Sequence, residues 1–245
     1  MANQLNTAML FAAGLGTRLK PFTDNHPKAL AIVNNKTLLQ RNIEYLQKFG
    51  IQNIVVNVHH FSNQIIDIIN EHKGWGANVL ISDETDEVLE TGGGLKKAIP
   101  LFNNEENIVV MNVDILTNLD LGKMYQYHLE NNAAATLAVT KRETSRYLIF
   151  SKENKLVGWM NSTTNEIKGI TFFDKDLHRK FAFSGVHIIN KKLLQQITQT
   201  GKFSMIDVYL NLMAENEVIG FEHSADLLLD VGTQKNIEFA EKIFG

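Results

Sequence analysis

Two glycines, an arginine and a lysine stand close together in AAGLGTRLKPFTDNHPKAL, residues 12–30. Gly14 and Gly16 let backbone N–H groups come close to an anion. Arg18 can fork two hydrogen bonds onto a phosphate, and Lys28 adds a compact point charge. Pro21 and Pro27 stiffen the segment that carries both cations. Such a loop suits a polyphosphate. The same residues also make a surface turn with two solvated cations, and glycine and charge alone leave both readings open. Two phosphate motifs are excluded. The dinucleotide fingerprint G-x-G-x-x-G needs a third glycine where this chain has Leu19. It also needs an acidic residue closing the second strand, which here ends Asn57-Val58-His59-His60. A Walker loop needs G-K-[ST], which is absent.

Two aspartates form the next candidate set. Asp114 follows the apolar run IVVMNV, and Asp230 follows ADLLL just before a helix start at VGT. Open α/β sheets bind ligands at the carboxyl ends of their strands. Two carboxylates at neighbouring strand ends can share one Mg²⁺, a hard cation that prefers oxygen ligands and substrate phosphates. Taken singly, each also suits a helix cap or a turn. ETGGGLKKAI, residues 90–99, places three glycines before a short helix expected over 94–101. As a loop, it would let a flat base or a sugar press against backbone; the plain alternative is a flexible connection. His59 and His60 are adjacent on a strand end and point to opposite faces, which argues against a metal pair. His26, His187 and His223 have no partner that the sequence identifies.

The elements that must position these residues follow from periodicity. Apolar runs at 7–13, 53–58, 78–82, 107–112 and 134–140 read as strands. Between them, helical spacing appears over 37–49, 62–72 and 119–131, with Thr37 and Ser62 as N-caps and Gly50 as a left-handed stop. This alternation predicts right-handed crossovers and a mainly parallel sheet with helices on both faces. RYLIF, KLVGWM and IKGITFF have no helices between them, so residues 141–189 read as an antiparallel elaboration ending in FAFSGVHII. Helices near 190–197 and 205–215, strands at EVIGFEH and LLLDVG, and a closing helix over 233–244 complete the chain. No linker, repeat or low-complexity tract divides residues 1–245, which predicts one domain.

Bulk properties narrow the function. The chain has 245 residues, 44% hydrophobic and 21% charged, enough for a substantial core. A net charge of −3 without a basic stripe argues against nucleic acid. There is no cysteine, which excludes disulfides and thiolate chemistry and fits a cytoplasmic setting. MANQLNTAMLFAAG has no basic region ahead of a long apolar run, so no signal peptide is expected. No apolar stretch approaches the ~20 residues that span a bilayer. Oligomeric state is left open.

Taken together, these residues resemble the sugar-1-phosphate nucleotidyltransferase family, through nearly the whole chain. AAGLGTRLKPFT…PKAL is similar to the family's signature segment. ETGGGLKKAIPLF (90–102), NVDILTNLDL (112–121) and FSGVHIIN…LLLDVGT resemble one branch, the N-acetylmuramate-1-phosphate uridylyltransferases of peptidoglycan recycling. The resemblance implies a Rossmann-like α/β fold, an open, mixed, mainly parallel sheet. It implies that backbone at Ala12, Ala13, Gly14, Leu15, Gly16 and Thr17 holds a nucleoside triphosphate and that Arg18 and Lys28 hold its phosphates. Arg18, Lys28 and Asp114 would be catalytic, and Asp114 and Asp230 would bind Mg²⁺. Glu84 and Gly93 would lie near the base, while Asn112, Ser184 and Gly185 would line the side that receives a sugar 1-phosphate.

The chain departs from the family at two places. Val113 stands where a glycine is common, and its bulk would narrow the approach to the phosphates. The Glu-Lys pair that many relatives use to grip the acceptor is missing before FAFSG, leaving Lys168 or Arg146 as substitutes. The implied reaction needs no covalent intermediate: a phosphate oxygen of the acceptor attacks the α-phosphorus in line and pyrophosphate leaves. Competing readings are guanylyl transfer to mannose or heptose 1-phosphate, transfer from CTP to an acceptor such as phosphocholine, and a non-catalytic nucleotide sensor.

Overall fold

A computed structural model describes residues 5–103 and 105–244, so the first four residues of the N-terminal segment lie outside it. β1 (Thr7–Phe11) leads into three short 3₁₀ turns that carry Arg18, Thr23 and Lys28. A small antiparallel ribbon, β2 (Ile32–Val33) with β3 (Lys36–Thr37), closes this excursion. Helix α1 (Leu38–Gln47) follows, and Thr37 Oγ1 accepts the Gln40 amide at 3.1 Å as its cap. Gly50, at φ 81°, ends it: Gly50 N donates to Gln47 O and Ile51 N to Leu46 O, a Schellman arrangement. Next come β4 (Asn53–Val58), α2 (Ser62–Glu71), β5 (Asn78–Asp83), α3 (Glu90–Ala98) and β6 (Asn107–Asn112). Then follow β7 (Ile115–Thr117), α4 (Leu121–Glu130) and β8 (Ala135–Thr140). The flank consists of β9 (Arg146–Ser151), β10 (Leu156–Asn161), β11 (Glu166–Lys168) and the long β12 (His178–Asn190). The chain closes with α5 (Lys191–Leu194), α6 (Met205–Leu212), β13 (Val218–Glu222), β14 (Leu228–Asp230) and α7 (Gln234–Ile243).

β5, β4, β1 and β6 run parallel in that order. β12 is antiparallel to β6 and to β8, and β13 is parallel to β8. β8 and β13 therefore point the same way as β6, and their carboxyl ends share one edge of the sheet. The hairpin β9–β10–β11 joins through the first half of β12. The apolar runs are buried on both faces, as parallel strands require. Alternate residues go to opposite layers. Ala8 and Leu10 of β1 pack with Leu39, Ile43, Ile65 and Met124 of α1, α2 and α4. Met9 packs with Leu95, Met205 and Val208 of α3 and α6. Full burial of such side chains contributes about 1.5–3 kcal/mol each.

Three local expectations are corrected. Ser62 does not cap α2; Phe61 holds the cap position in a left-handed conformation, φ 54°, and Ser62 begins the helix. IKGITFF is not a full strand, since only Glu166–Lys168 pairs with β10. ETGGG is not a loop: α3 starts at Glu90 and runs through all three glycines, which are buried. Added Cβ atoms would meet Phe203 Cδ2 at 2.4 Å from Gly92, Gly201 O at 2.3 Å from Gly93 and Glu84 Oε1 at 2.6 Å from Gly94. Close packing of the helix, not backbone freedom, requires glycine there.

Candidate active site

The parallel strands end in a cleft of about 260 Å³ lined by Ala13, Gly14, Lys28, Asn57, Glu84, Asn112 and Asp114, with Thr91 on its rim. This is the carboxyl edge, where the polar residues that follow each apolar run must emerge. The glycine loop forms one wall. Gly16 sits at φ 63°, and a Cβ there would lie 2.8 Å from Thr23 Cγ2. Thr23 Oγ1 donates to Gly16 O at 2.9 Å, pinning the turn that presents Arg18. A Cβ at Gly14 would meet nothing within 4 Å, so packing does not demand glycine there; its absence of side chain leaves the cleft open. Ala12 is buried, while Leu15 and Thr17 are exposed.

Asn57, which the sequence reading passed over, organises this wall. Its Oδ1 accepts from Ala12 N at 2.7 Å and from Ala13 N at 3.3 Å. Its Nδ2 donates to Glu84 Oε1 at 2.7 Å. Those two loop amides are thus satisfied within the protein. The amides of Gly14, Leu15 and Gly16 donate to no acceptor among the described residues and remain to serve an anion. Glu84 is 1% exposed, and burial pushes its carboxyl above the ordinary range, opposed by the Asn57 bond. Replacing Asn57 with Leu, of similar volume, removes the acceptor for both amides and one of the hydrogen bonds to the Glu84 carboxyl, leaving that of the Leu89 amide. Nucleotide affinity measured by calorimetry is expected to fall roughly tenfold, from the cost of an unsatisfied buried group. Unchanged affinity in a folded variant would exclude Asn57 from this role.

The two aspartates meet through a ribbon that joins distant parts of the chain. β14 pairs antiparallel with β7, setting Asp230 opposite Ile115, and Val231 N donates to Asp114 O at 2.7 Å. Each carboxylate holds one cation of the glycine loop. Lys28 Nζ lies 2.5 Å from Asp114 Oδ2, and Arg18 Nη2 lies 3.3 Å from Asp230 Oδ2. The first pair is nearly buried; the second is largely exposed. An exposed pair contributes about 0–1 kcal/mol, so Arg18 is easily drawn to an incoming phosphate. Gly232 is a second residue that the sequence reading missed. A Cβ there would lie 2.6 Å from Asp230 Oδ1 and 2.7 Å from Arg18 Nη2, so only glycine lets the guanidinium reach.

A hard cation fits here on one observation: Asp230 Oδ1 is buried with no hydrogen-bond partner. Among the described residues, no group of three or more His, Cys, Asp or Glu side chains converges on a point. A cation held by Asp114 and Asp230 would therefore draw its remaining ligands from substrate phosphates and water.

The other candidates fall as follows. Asn112 lines the cleft, and Gly185 abuts it. Ser184 is buried beside Gly185. Gly93 faces Gly201 across α3. Val113 is corrected: its side chain is 1% exposed and lies in the core with α1 and α4, so it does not narrow the cleft. Lys168 pairs with Asp207 and Glu166 and lies over the Trp159 ring. With Arg146 it lines a separate hollow of about 170 Å³ that shares no residue with the cleft. The histidines go separate ways: His59 bonds Glu84 O, the His60 ring lies tilted against Phe61, and His26 meets Gln64. His187 is wholly buried against the Tyr209 hydroxyl, and burial pushes it down to about 3.

The sequence matches the family described as Nucleotidyl transferase over residues 7–240. This chain belongs to the nucleotidyl transferase family. It is 30% identical over 240 residues to N-acetylmuramate alpha-1-phosphate uridylyltransferase of Caulobacter vibrioides, covering 90% of this chain and 89% of that protein. It is 28% identical over 239 residues to D-glycero-alpha-D-manno-heptose 1-phosphate guanylyltransferase of Aneurinibacillus thermoaerophilus, covering 96% of each. Its fold is that of HddC from Yersinia pseudotuberculosis, solved with GMP-PN, at a TM-score of 0.78 and 22% identity, over 98% of this chain and 100% of that one. Within the family the chain is a sugar-1-phosphate nucleotidyltransferase, an enzyme. No helix among the described residues is long and apolar enough to cross a membrane.

Proposed function

We propose that this nucleotidyltransferase transfers the uridylyl group of UTP to N-acetylmuramate 1-phosphate, releasing pyrophosphate, in cytoplasmic peptidoglycan recycling. The observation that carries the reaction is the joined pair Asp114 and Asp230, each facing a cation of the glycine loop. The uracil and the sugar rest on the full-length similarity to the Caulobacter enzyme. The free amides of Gly14 to Gly16 take the triphosphate, with Arg18 and Lys28 turning from their carboxylates to its oxygens. Mg²⁺ on Asp114 and Asp230 would supply charge neutralisation between two polyanions. Asn112 and the Ser184–Gly185 turn form the acceptor side. A phosphate monoester is nucleophilic at neutral pH, so no strong base is required.

Glu84 adds a constraint on the base. A carboxylate accepts hydrogen bonds, so it suits an edge that presents a ring N–H. Uracil and guanine do so; cytosine and adenine present a bare ring nitrogen at that position. An ionised Glu84 disfavours CTP and ATP, whereas a protonated one would suit them; guanylyl transfer to mannose or heptose 1-phosphate is the second reading, which the 28% relative favours. Pyrophosphate release over four NTPs and the 1-phosphates of N-acetylmuramate, mannose, heptose and glucose, with and without Mg²⁺, tests the proposal. The expected fastest pair is UTP with N-acetylmuramate 1-phosphate. A faster rate for GTP with mannose or heptose 1-phosphate selects the second reading. No release together with tight NTP binding marks a sensor.

A further inference from the structure

Behind the Ser184–Gly185 turn of the acceptor side stands a polar pair that the chemistry above does not use, the buried His223 and the partly exposed Asp226. Ser184 and His223 are 1% and 4% exposed. Ser184 Oγ lies 2.8 Å from His223 Nε2, and Asp226 Oδ2 lies 3.5 Å from His223 Nδ1. Strand order explains the meeting. β8 pairs with β12 through Phe183–Val139 and with β13 through Glu222–Val139, and His223 N donates to Val139 O at 3.0 Å. Ser184 and His223 therefore meet beside Val139, near the carboxyl end of β8.

The backbone at Ser184 needs such support. The register of β12 against β8 breaks between Phe183 and His187, so Ser184 and Gly185 have lost their ladder. Gly185 adopts φ 74°, and a Cβ there would strike Asn112 Nδ2 and Ile115 Cγ1, each at 2.9 Å. The bulge thus presses on Asn112, which lines the cleft. Contacts run from His223 through Ser184 and Gly185 to Asn112 at the cleft wall, with Asp226 as a nearby charge.

The hydrogen-bond directions follow from charge. Burial lowers the His223 pKa, against the opposing pull of Asp226, and keeps the ring neutral with one N–H and one lone pair. The Asp226 carboxylate favours the proton on Nδ1, so Nε2 accepts and the Ser184 hydroxyl donates. An apolar pair would fill the same space without burying polar atoms; the Ser184–His223 hydrogen bond fixes one geometry instead, while Nδ1 is buried with no hydrogen-bond partner and has only the Asp226 charge nearby.

We infer that His223, oriented by Asp226, is a positioning residue for the acceptor: through Ser184 it pins the Gly185 bulge, and with it Asn112, at the wall that receives the sugar 1-phosphate. This rests on the proposed function, in which that wall faces the acceptor. The test is steady-state pyrophosphate release by wild type, His223→Phe, His223→Gln, Ser184→Ala and the double variant His223→Phe/Ser184→Ala. The probes are UTP with N-acetylmuramate 1-phosphate, or GTP with mannose 1-phosphate if that pair is faster. His223→Phe and Ser184→Ala are expected to raise the acceptor KM about tenfold and leave the NTP KM within about twofold. The double variant should be no worse than either single one, and His223→Gln should recover part of the loss. A purely structural role would raise both KM values together or lower only the melting temperature, and either result overturns the inference, as does an unchanged acceptor KM in the folded Gln and Ala variants. Wild-type inactivity toward every sugar 1-phosphate would instead overturn the proposed function, and this inference with it.

Discussion

Asp114→Asn is expected to lower Mg²⁺-dependent turnover by about 10²–10³-fold, the usual cost of removing one preorganised group that stabilises charge in the transition state. The substitution keeps the side chain's shape, so the loss reports charge. It acts on two partners at once. It removes one of two carboxylates available to a cation, and it frees Lys28, whose Nζ lies 2.5 Å from Asp114 Oδ2. These effects pull nucleotide binding in opposite directions, which gives the variant a signature. Without Mg²⁺, NTP affinity should hold or rise, because Lys28 no longer has a competing anion. With Mg²⁺, turnover should collapse. Pyrophosphate release and calorimetry on the same preparation separate the two. Full turnover at the same Mg²⁺ concentration would remove Asp114 from the metal site, and weaker Mg²⁺-free binding would show that Lys28 does not serve the phosphates. A melting temperature lowered by the loss of about 1–3 kcal/mol is expected alongside, since Lys28 is left nearly buried with no counter-charge.

Much of this arrangement is legible in the chain, for identifiable reasons. IVVM in β6 and AMLF in β1 announce themselves because strands buried on both faces need unbroken apolar runs. Thr37 and Gly50 mark α1 because a cap and a left-handed stop depend on local chemistry alone. Asp114 is visible because a carboxylate directly after a buried strand must surface at the ligand edge. What escaped depends on partners distant in sequence. That Asp114 and Asp230 stand together is expected from their strand ends, but the ladder between β7 and β14 that joins them, more than 100 residues apart, has no local signal. Asn57 looks like an ordinary strand-end amide until the Ala12 and Ala13 amides and Glu84 are placed around it. Val113 read as an obstruction because its direction was unknown; one step along the strand turned it into the core. The glycines of ETGGG misled most directly. Propensity places three glycines in a loop, and only the walls around α3 show why a helix uses them.

Those walls lead to the second large effect. Alanine is about 1 kcal/mol better than glycine in a helix interior, so Gly93→Ala and Gly94→Ala would each stabilise an isolated α3. In the protein, both signs should invert, by different routes. At Gly93 the new Cβ would lie 2.3 Å from Gly201 O, a backbone atom that cannot rotate away. The helix must shift, and overpacking of this kind costs about 1–3 kcal/mol or more. Chemical denaturation should show a net loss of stability, with a lowered midpoint and little change in slope. A gain of the intrinsic helical increment would mean that the close approach of α3 to Gly201 is not maintained. At Gly94 the Cβ would lie 2.6 Å from Glu84 Oε1 and 3.0 Å from Asn57 Nδ2. These are side chains, and they can yield. Stability should suffer less than at Gly93, but Glu84 would be displaced from Asn57, and Asn57 from the loop amides. The expected result is weaker NTP binding with relaxed discrimination between bases. Two alanines, one residue apart on the same helix, would thus separate the packing of the site from its chemistry: a Gly94→Ala enzyme with unchanged NTP affinity and base preference would show that Glu84 does not read the nucleotide.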